Sequence, residues 1–148
     1  MKIAIGCDHR GVKTKKIAIV ILKEDGYQYK DFGCGEGEAI DYPDIAEAVA
    51  RAVAGGEYDK GILICSTGIG MCIVANKMDG IRAALCHNTH CAYRARHHND
   101  ANILCLGDID NSDELKEMVI SFLKEQFDGG RHKLRIDKIN IIENKTTS

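Results

Sequence analysis

Apolar residues along this chain fall into short continuous runs, separated by longer stretches in which they recur every three or four positions. The runs Lys2–Cys7, Tyr27–Phe32, Gly61–Cys65, Ile81–Cys86 and Asn102–Leu106 predict five strands. The later ones are apolar without alternation, as a parallel sheet covered on both faces requires. Helical periodicity predicts helices over roughly 11–24, 43–54, 69–77, 88–97 and 112–126. Pro43 falls in the first turn of the second helix and Gly55-Gly56 follows its end, the usual asymmetry of helix termini. Ser112 or Asp113 is placed to cap the fifth, which stops at Asp128-Gly129-Gly130. Five βα units with short connections predict an α/β fold, an open sheet with helices on both faces.

A last segment, Arg131–Asn144, carries Leu134, Ile136, Ile139 and Ile142 between charges. No strand remains for it to follow, so its apolar stripe needs another surface, either on its own domain or on a second subunit. Lys145–Ser148 reads as a frayed end. There is no internal repeat and no linker, and 148 residues make one domain, 1–148, with enough apolar chain (45%) for a core.

Composition narrows the function classes. Twenty Lys+Arg against 22 Asp+Glu leave a net charge of −2, which argues against a nucleic-acid footprint. The longest apolar runs reach about half of the ~20 residues that span a bilayer, and Asp8 interrupts the N-terminus before a signal-peptide core can form, so neither a membrane nor export is expected. The seven cysteines make no C-x-x-C pair, which removes the zinc-ribbon and thioredoxin motifs. Cys7, Cys65, Cys86 and Cys105 close or interrupt apolar runs and read as small buried hydrophobes. Free thiols at this density point to the reducing cytoplasm.

Open parallel sheets bind ligands beyond the carboxyl ends of their strands. In this chain those ends are Cys7-Asp8-His9, Asp41-Tyr42 ahead of the second helix, Cys65-Ser66-Thr67-Gly68-Ile69-Gly70, and His87-Asn88. The third is the most informative. Gly68 and Gly70 permit a tight turn and a close approach, and a following helix presents unpaired N–H groups, so the loop is a candidate anion cradle. It is neither a dinucleotide fingerprint, since Ile73 stands where the third glycine belongs, nor a P-loop. A plain strand-to-helix turn would carry the same two glycines. Cys65 is open to two readings as well, a core thiol or a thiolate at a helix N-terminus that serves as nucleophile or base.

Gly61-Ile-Leu-Ile-Cys65-Ser-Thr67-Gly68-Ile-Gly70, followed by Ala75-Asn76-Lys77 and Gly80-Ile-Arg82-Ala83, resembles the ribose-5-phosphate isomerase B family, which also includes allose-6-phosphate and galactose-6-phosphate isomerases. Gly6-Cys7-Asp8-His9-x-Gly11, Asp41-Tyr42-Pro43, His98-Asn99-Asp100-x-Asn102 and Gly129-Gly130-Arg131-His132-x-x-Arg135 agree with it in order, so the resemblance covers residues 2 to about 142. It implies a three-layer α/β/α sandwich on a Rossmann-like five-stranded parallel sheet, working as a homodimer or a dimer of dimers with active sites shared between subunits. The C-terminal helix would then pack on the partner.

Moving a proton between C1 and C2 of a sugar phosphate through an enediolate calls for a base over the carbon, oxyanion donors, an acid/base for ring opening, and cations for phosphate. No cofactor and no metal are expected, and no nicotinamide or flavin motif is present. The resemblance makes Cys65 the base; the alternative glutamate of other members is absent from Gly70-Met71-Cys72. Thr67 supports it, and the N–H groups of Ser66 to Gly70, Ile69 included, hold the enediolate oxygens. His98 opens the furanose ring beside Asn99, while Asp8 and Tyr42 line the sugar; a helix N-cap is the plainer reading of Asp8. Arg131 and Arg135, four apart and thus on one helical face, bind phosphate with His9. His97 and His132 fall off these patterns and are left out.

Two positions depart from the family. Ile109 stands where many members carry a phosphate-contacting arginine, and its neighbours Asp108 and Asp110 supply no cation, so either phosphate binding is weaker or another basic group such as Lys13 compensates. Ser66 replaces a frequent glycine. The expected reaction interconverts D-ribose 5-phosphate and D-ribulose 5-phosphate. The rivals are a six-carbon substrate (allose 6-phosphate or galactose 6-phosphate) and a non-catalytic phosphate- or nucleotide-binding regulator. A thiol-redox role lacks a resolving-cysteine spacing.

Overall fold

A computed structural model describes residues 1–146. The elements are β1 (Lys2–Cys7), α1 (Val12–Glu24), β2 (Gln28–Asp31), α2 (Tyr42–Ala54), β3 (Lys60–Ile64), α3 (Ile69–Ala75), β4 (Ala83–Leu85), α4 (Thr89–Asn99), β5 (Ile103–Leu106), α5 (Ser112–Lys124) and α6 (Gly130–Thr146). All strand pairs are parallel, in the order β2-β1-β3-β5-β4.

The central strands are apolar throughout because each face meets a helical layer. Ile3, Ile5 and Cys7 of β1, Ile62 and Ile64 of β3, and Leu104 and Leu106 of β5 pack under α1, α4 and α5. The alternate residues Ala4, Leu63, Ile103 and Cys105 pack under α2 and α3, and Cys65 continues that face. Period-two alternation therefore assigns each strand residue to one of two cores, giving the predicted α/β/α sandwich.

The edges explain where the sequence reading falls short. β4 covers Ala83–Leu85, not 81–86, and its residues are only half-buried, because it is the last strand and one side lacks a neighbour. The cap of α5 is Asn111, whose side chain accepts from the N–H groups of Asp113 and Glu114 (3.0 and 3.1 Å), so neither Ser112 nor Asp113 holds that place. α4 runs to Asn99, two residues beyond expectation, and Asp100 ends it in the left-handed conformation (φ 46°).

The segment after Gly129 is a helix, and Lys145 and Thr146 belong to it; of the frayed end expected at Lys145–Ser148, residues 147 and 148 lie outside the described residues. Within α6, His132 and Ile136 are buried, while Leu134, Ile139 and Ile141 are exposed (67%, 44% and 53%). The stripe is thus only partly covered by this chain. No helix among the described residues is long and apolar enough to cross a membrane.

Candidate active site

β1 lies between β2 and β3, so the chain leaves β1 to one side and returns on the other. The crevice beyond the carboxyl ends of β1 and β3 is the topological switch point, where open α/β sheets take their ligands. Asp8 and Cys65 are the first residues past those two strands.

Cys65 is 5% exposed, its N–H donates to the Leu106 carbonyl (3.2 Å), and its sulfur accepts the N–H of Gly68 at 3.0 Å. That last bond depends on the turn. Gly68 has φ +76°, and a β-carbon there would lie 2.6 Å from Leu85 Cδ1 and 2.8 Å from the Leu106 carbonyl carbon. The left-handed backbone and the backbone clash both exclude a side chain. Gly68→Ala should therefore cost about 3 kcal/mol of stability, read as a lower denaturant midpoint, and impair catalysis by turning the Gly68 N–H away from sulfur.

Gly70 serves a different contact. The Tyr42 ring, at the first residue of α2, lies so close that a β-carbon on Gly70 would be 2.7 Å from it. Tyr42 thus reaches across to the Cys65 loop. Thr67 Oγ1 accepts the N–H of Ile69 (3.2 Å), and the Ser66 carbonyl accepts that of Asp108 (3.1 Å), leaving both side chains exposed. Asp8 is 7% exposed; its Oδ1 accepts from Arg10 and Gly11 N–H (2.9 and 3.2 Å), which fixes the β1–α1 turn, while the helix cap itself is Gly11. His9 is exposed, with Nδ1 at 3.5 Å from the Ile40 carbonyl oxygen.

Beside Ser66 and Thr67 opens a cavity of about 500 Å³, lined also by His87, Asp108, Asp110 and Glu114. Two of its acids, Asp108 and Asp110, are engaged. Asp108 accepts from Thr14 Oγ1 (2.6 Å), and Asp110 pairs with Lys13 Nζ (2.5 Å), a hydrogen bond that raises Lys13 from the ordinary lysine value. Lys13 is therefore matched to a carboxylate and is not the spare phosphate cation expected opposite Ile109. Ile109 itself packs against the core under α1 and α5.

The remaining residues form a second group. α4 starts just past the carboxyl end of β4 and ends just before β5 begins, so it crosses the sheet, about 16 Å for its 11 residues. His98 and Asn99 at its end therefore sit beside the amino ends of the strands, while Cys65 sits past their carboxyl ends, and one chain does not bring Cys65 and His98 together. His98 stacks on the buried ring of His132, 4.3 Å between centroids and 10° from parallel. Arg131 and Arg135, exposed on the first turns of α6, complete this group with Arg94.

Burial, His132, Arg94, His97 and Arg131 together hold His98 below the ordinary imidazole value. A depressed value keeps the ring neutral further into acid. The nuclear magnetic resonance titration of His98 should accordingly have its midpoint below about 6.5, and it should move up in Arg131→Gln, which removes one of the repelling charges.

His132 was outside the sequence pattern because a helical wheel places it off the arginine face; the signal lay only in its burial against α4. His97 is structural, as expected from its lying off the motif: its Nδ1 is 2.9 Å from Glu125 Oε1, and its carbonyl accepts the Asp128 N–H (3.0 Å). Several motif residues are fasteners. Asp100 is held by Arg96 (2.7 Å) and Arg82 (3.0 Å), Asn102 by the Arg82 N–H and Gly80 carbonyl (2.8 Å each), and Asn76 pairs with both main-chain groups of Ala83 (2.9 Å each). They fix the end of α4 and with it His98.

A groove of about 740 Å³ runs between β4, α4 and α6. It touches Asn99 but not Cys65, and it is lined by Ile81, Leu85, Cys91 and Ile139. Its apolar walls suit a protein surface better than a sugar phosphate.

A buried thiol at the switch point of an open parallel sheet, with an imidazole–guanidinium group elsewhere on the chain, places the protein in the α/β class that takes small ligands at its strand ends. The family model described as Ribose/Galactose Isomerase matches residues 3–139, and the chain belongs to that family. It is 46% identical over 145 residues to ribose-5-phosphate isomerase B of Escherichia coli K12, covering 97% of each chain. Among solved structures, it superposes on ribose-5-phosphate isomerase B of Clostridium thermocellum with a TM-score of 0.95 and 49% identity, covering 99% of both chains. It superposes on the Mycoplasma genitalium enzyme with bound ribulose-5-phosphate with a TM-score of 0.91 and 43% identity, covering 97% of this chain and 96% of that one.

Proposed function

We propose that the protein interconverts D-ribose 5-phosphate and D-ribulose 5-phosphate, the whole chain acting as one isomerase domain. The observation that carries the reading is the Cys65 sulfur at the switch point, facing the Gly68 N–H. As a thiolate it removes the C2 proton of the open-chain aldose. The electrons pass to the C1 carbonyl oxygen, the enediolate is held by N–H groups of the Ser66–Gly70 loop, the C2 hydroxyl proton passes to the C1 oxygen, and the Cys65 thiol, which can exchange its proton with solvent, returns a proton to C1 to give the ketose. Thr67 and Tyr42 orient hydroxyls. Asp8, already accepting two main-chain N–H groups, offers its other carboxylate oxygen to the sugar.

Ring opening and phosphate binding fall to the second group. His98, kept neutral by burial and its cationic neighbours, takes the anomeric hydroxyl proton and passes it to the ring oxygen as the C1–O4 bond breaks, while Asn99 holds the adjacent oxygen and Arg131 and Arg135 receive the phosphate with His9. Since Cys65 and His98 lie at opposite ends of the strands in one chain, a working site needs the second group of another copy. The exposed Leu134, Ile139 and Ile141 of α6 support the same homodimer, whose partner would cover them and fill the apolar groove beside β4. A sugar-phosphate isomerase of this kind fits a cytoplasmic setting.

The discriminating measurement is kcat/KM for ribose 5-phosphate, allose 6-phosphate and galactose 6-phosphate on one preparation. Ribose 5-phosphate should lead by at least about tenfold, the scale set by one extra carbon in a fitted pocket. A lead for either hexose phosphate would reassign the substrate. Tight nucleotide binding with no turnover of any of the three would replace the enzyme by a regulator.

A further inference from the structure

The first turns of α6 bury two side chains, Ile136 and His132, and one of them is polar. The His132 ring faces His98 at 4.3 Å between centroids, 10° from parallel. Its Nε2 is 3.9 Å from Asp128 Oδ2, beyond direct hydrogen bonding, so the imidazole is buried at a cost that leucine or phenylalanine would not incur. The seat is held through the segment before α6. Glu125 Oε1 meets His97 Nδ1 (2.9 Å), the His97 carbonyl accepts the Asp128 N–H (3.0 Å), and the Gly129 carbonyl accepts the His132 N–H (2.9 Å). These contacts bring the start of α6 down on the end of α4.

We propose that His132 is a positioning residue for ring opening, a flat buried wall that fixes the plane of His98 and aims its nitrogen-bearing edge at the furanose. His132 itself touches no substrate. The inference rests on the isomerase reading, in which His98 opens the ring. A half-buried histidine near a helix end turns about two side-chain bonds. Covering one of its faces with a parallel ring removes many of those orientations, which is the ordering that efficient proton transfer requires.

The same contact sets a rule for charge. When His98 takes the anomeric proton it becomes an imidazolium against the His132 face, and two such cations 4.3 Å apart repel. His132 is therefore neutral in the productive state. Burial chiefly, then Arg131 and Arg135 on α6 and His97 on α4, hold it below the ordinary imidazole value against the opposite pull of Asp128. Burial, His132, Arg94, His97 and Arg131 do the same for His98. With Glu125 on His97, these groups face the pair from α4, from α6 and from the segment between α5 and α6.

Substrate chemistry supplies a readout that a merely structural role would not move. Ribose 5-phosphate is a furanose closed through its C4 hydroxyl and has to be opened. Ribulose 5-phosphate is a 2-ketose whose C5 oxygen carries the phosphate, so it has no hydroxyl placed to close a furanose and meets the enzyme open. Exchange of its C1 proton with solvent reports Cys65 and the enediolate without ring opening, whereas turnover of ribose 5-phosphate needs both.

The test compares full-length His132→Leu and His132→Phe with the wild-type protein. Three quantities are measured: kcat and KM for ribose 5-phosphate, C1 proton exchange of ribulose 5-phosphate in deuterium oxide, and the magnetic resonance titration of His98. Leucine removes the flat face, so kcat for ribose 5-phosphate should fall by roughly 10²-fold, the scale of an ångström of misplacement. KM should hold, because Arg131 and Arg135 keep the phosphate, and exchange from ribulose 5-phosphate should stay at the wild-type rate. That exchange also shows the variant to be folded. Phenylalanine restores a flat face without a charge, so kcat should recover most of the loss, and the His98 midpoint should move up because one repelling charge is gone. Wild-type kcat in His132→Leu would overturn the proposal, as would equal losses of exchange and turnover in both variants, or a phenylalanine variant no better than the leucine one. No C1 exchange and no turnover in the wild-type protein would instead refute the isomerase reading itself.

Discussion

Replacing Cys65 with alanine should lower kcat by about 10⁴-fold, the upper range for removal of a positioned base, and abolish exchange of the substrate's C2 proton with solvent. The fold should survive. The side chain is small and its main-chain bond to Leu106 is untouched, so the expected cost is about 1 kcal/mol. Cys65→Ser separates two contributions. A hydroxyl can still accept the Gly68 N–H, so the turn keeps its shape, but it does not ionise near neutrality, and activity should remain close to that of the alanine variant. Full activity in either variant would remove Cys65 from the base role. Circular dichroism and a denaturation midpoint on the same samples exclude the trivial explanation.

The second large effect concerns two inactive proteins that recover activity on mixing. Cys65→Ala spoils one half of the site, and His98→Asn spoils the other. Each homodimer then carries two defective sites. After subunit exchange, a mixed dimer carries one doubly defective site and one intact site, because a two-fold interface pairs Cys65 of each copy with His98 of the other. With random exchange, half the dimers are mixed and half their sites are intact, so activity should rise from near zero to about a quarter of the wild-type value. No recovery after exchange has been verified by mass would place Cys65 and His98 in one chain, against the crossing of the sheet by α4. The same experiment with Arg135→Ala replacing His98→Asn should behave alike, since α6 carries its arginines on the His98 side.

Much of this was legible in the order of residues. Unbroken apolar runs predicted buried parallel strands at β1, β3 and β5, because a residue that faces a helix on either side of the sheet is apolar in both registers. The glycines at 68 and 70 marked a turn that no other residue fits, and the motif around Cys65 and His98 named the chemistry. At the edges the pattern weakened. β4 lost half its predicted length, since a last strand has no second neighbour to reward pairing, and Asn111 outcompeted Ser112 as cap because its carboxamide reaches two N–H groups.

What the sequence determined, then, was the set of strands and their two-sided burial, both consequences of local periodicity, while the candidate residues of a thiol-based site came from the resemblance of its motifs to a family. Three-dimensional packing decided the rest. It set Cys65 and His98 at opposite ends of the strands, stacked His132 on His98, and gave Lys13 to Asp110. Each of these contacts lies between elements whose separation in the chain carries no periodic signal, and each is set by strand order and by which helix covers which face.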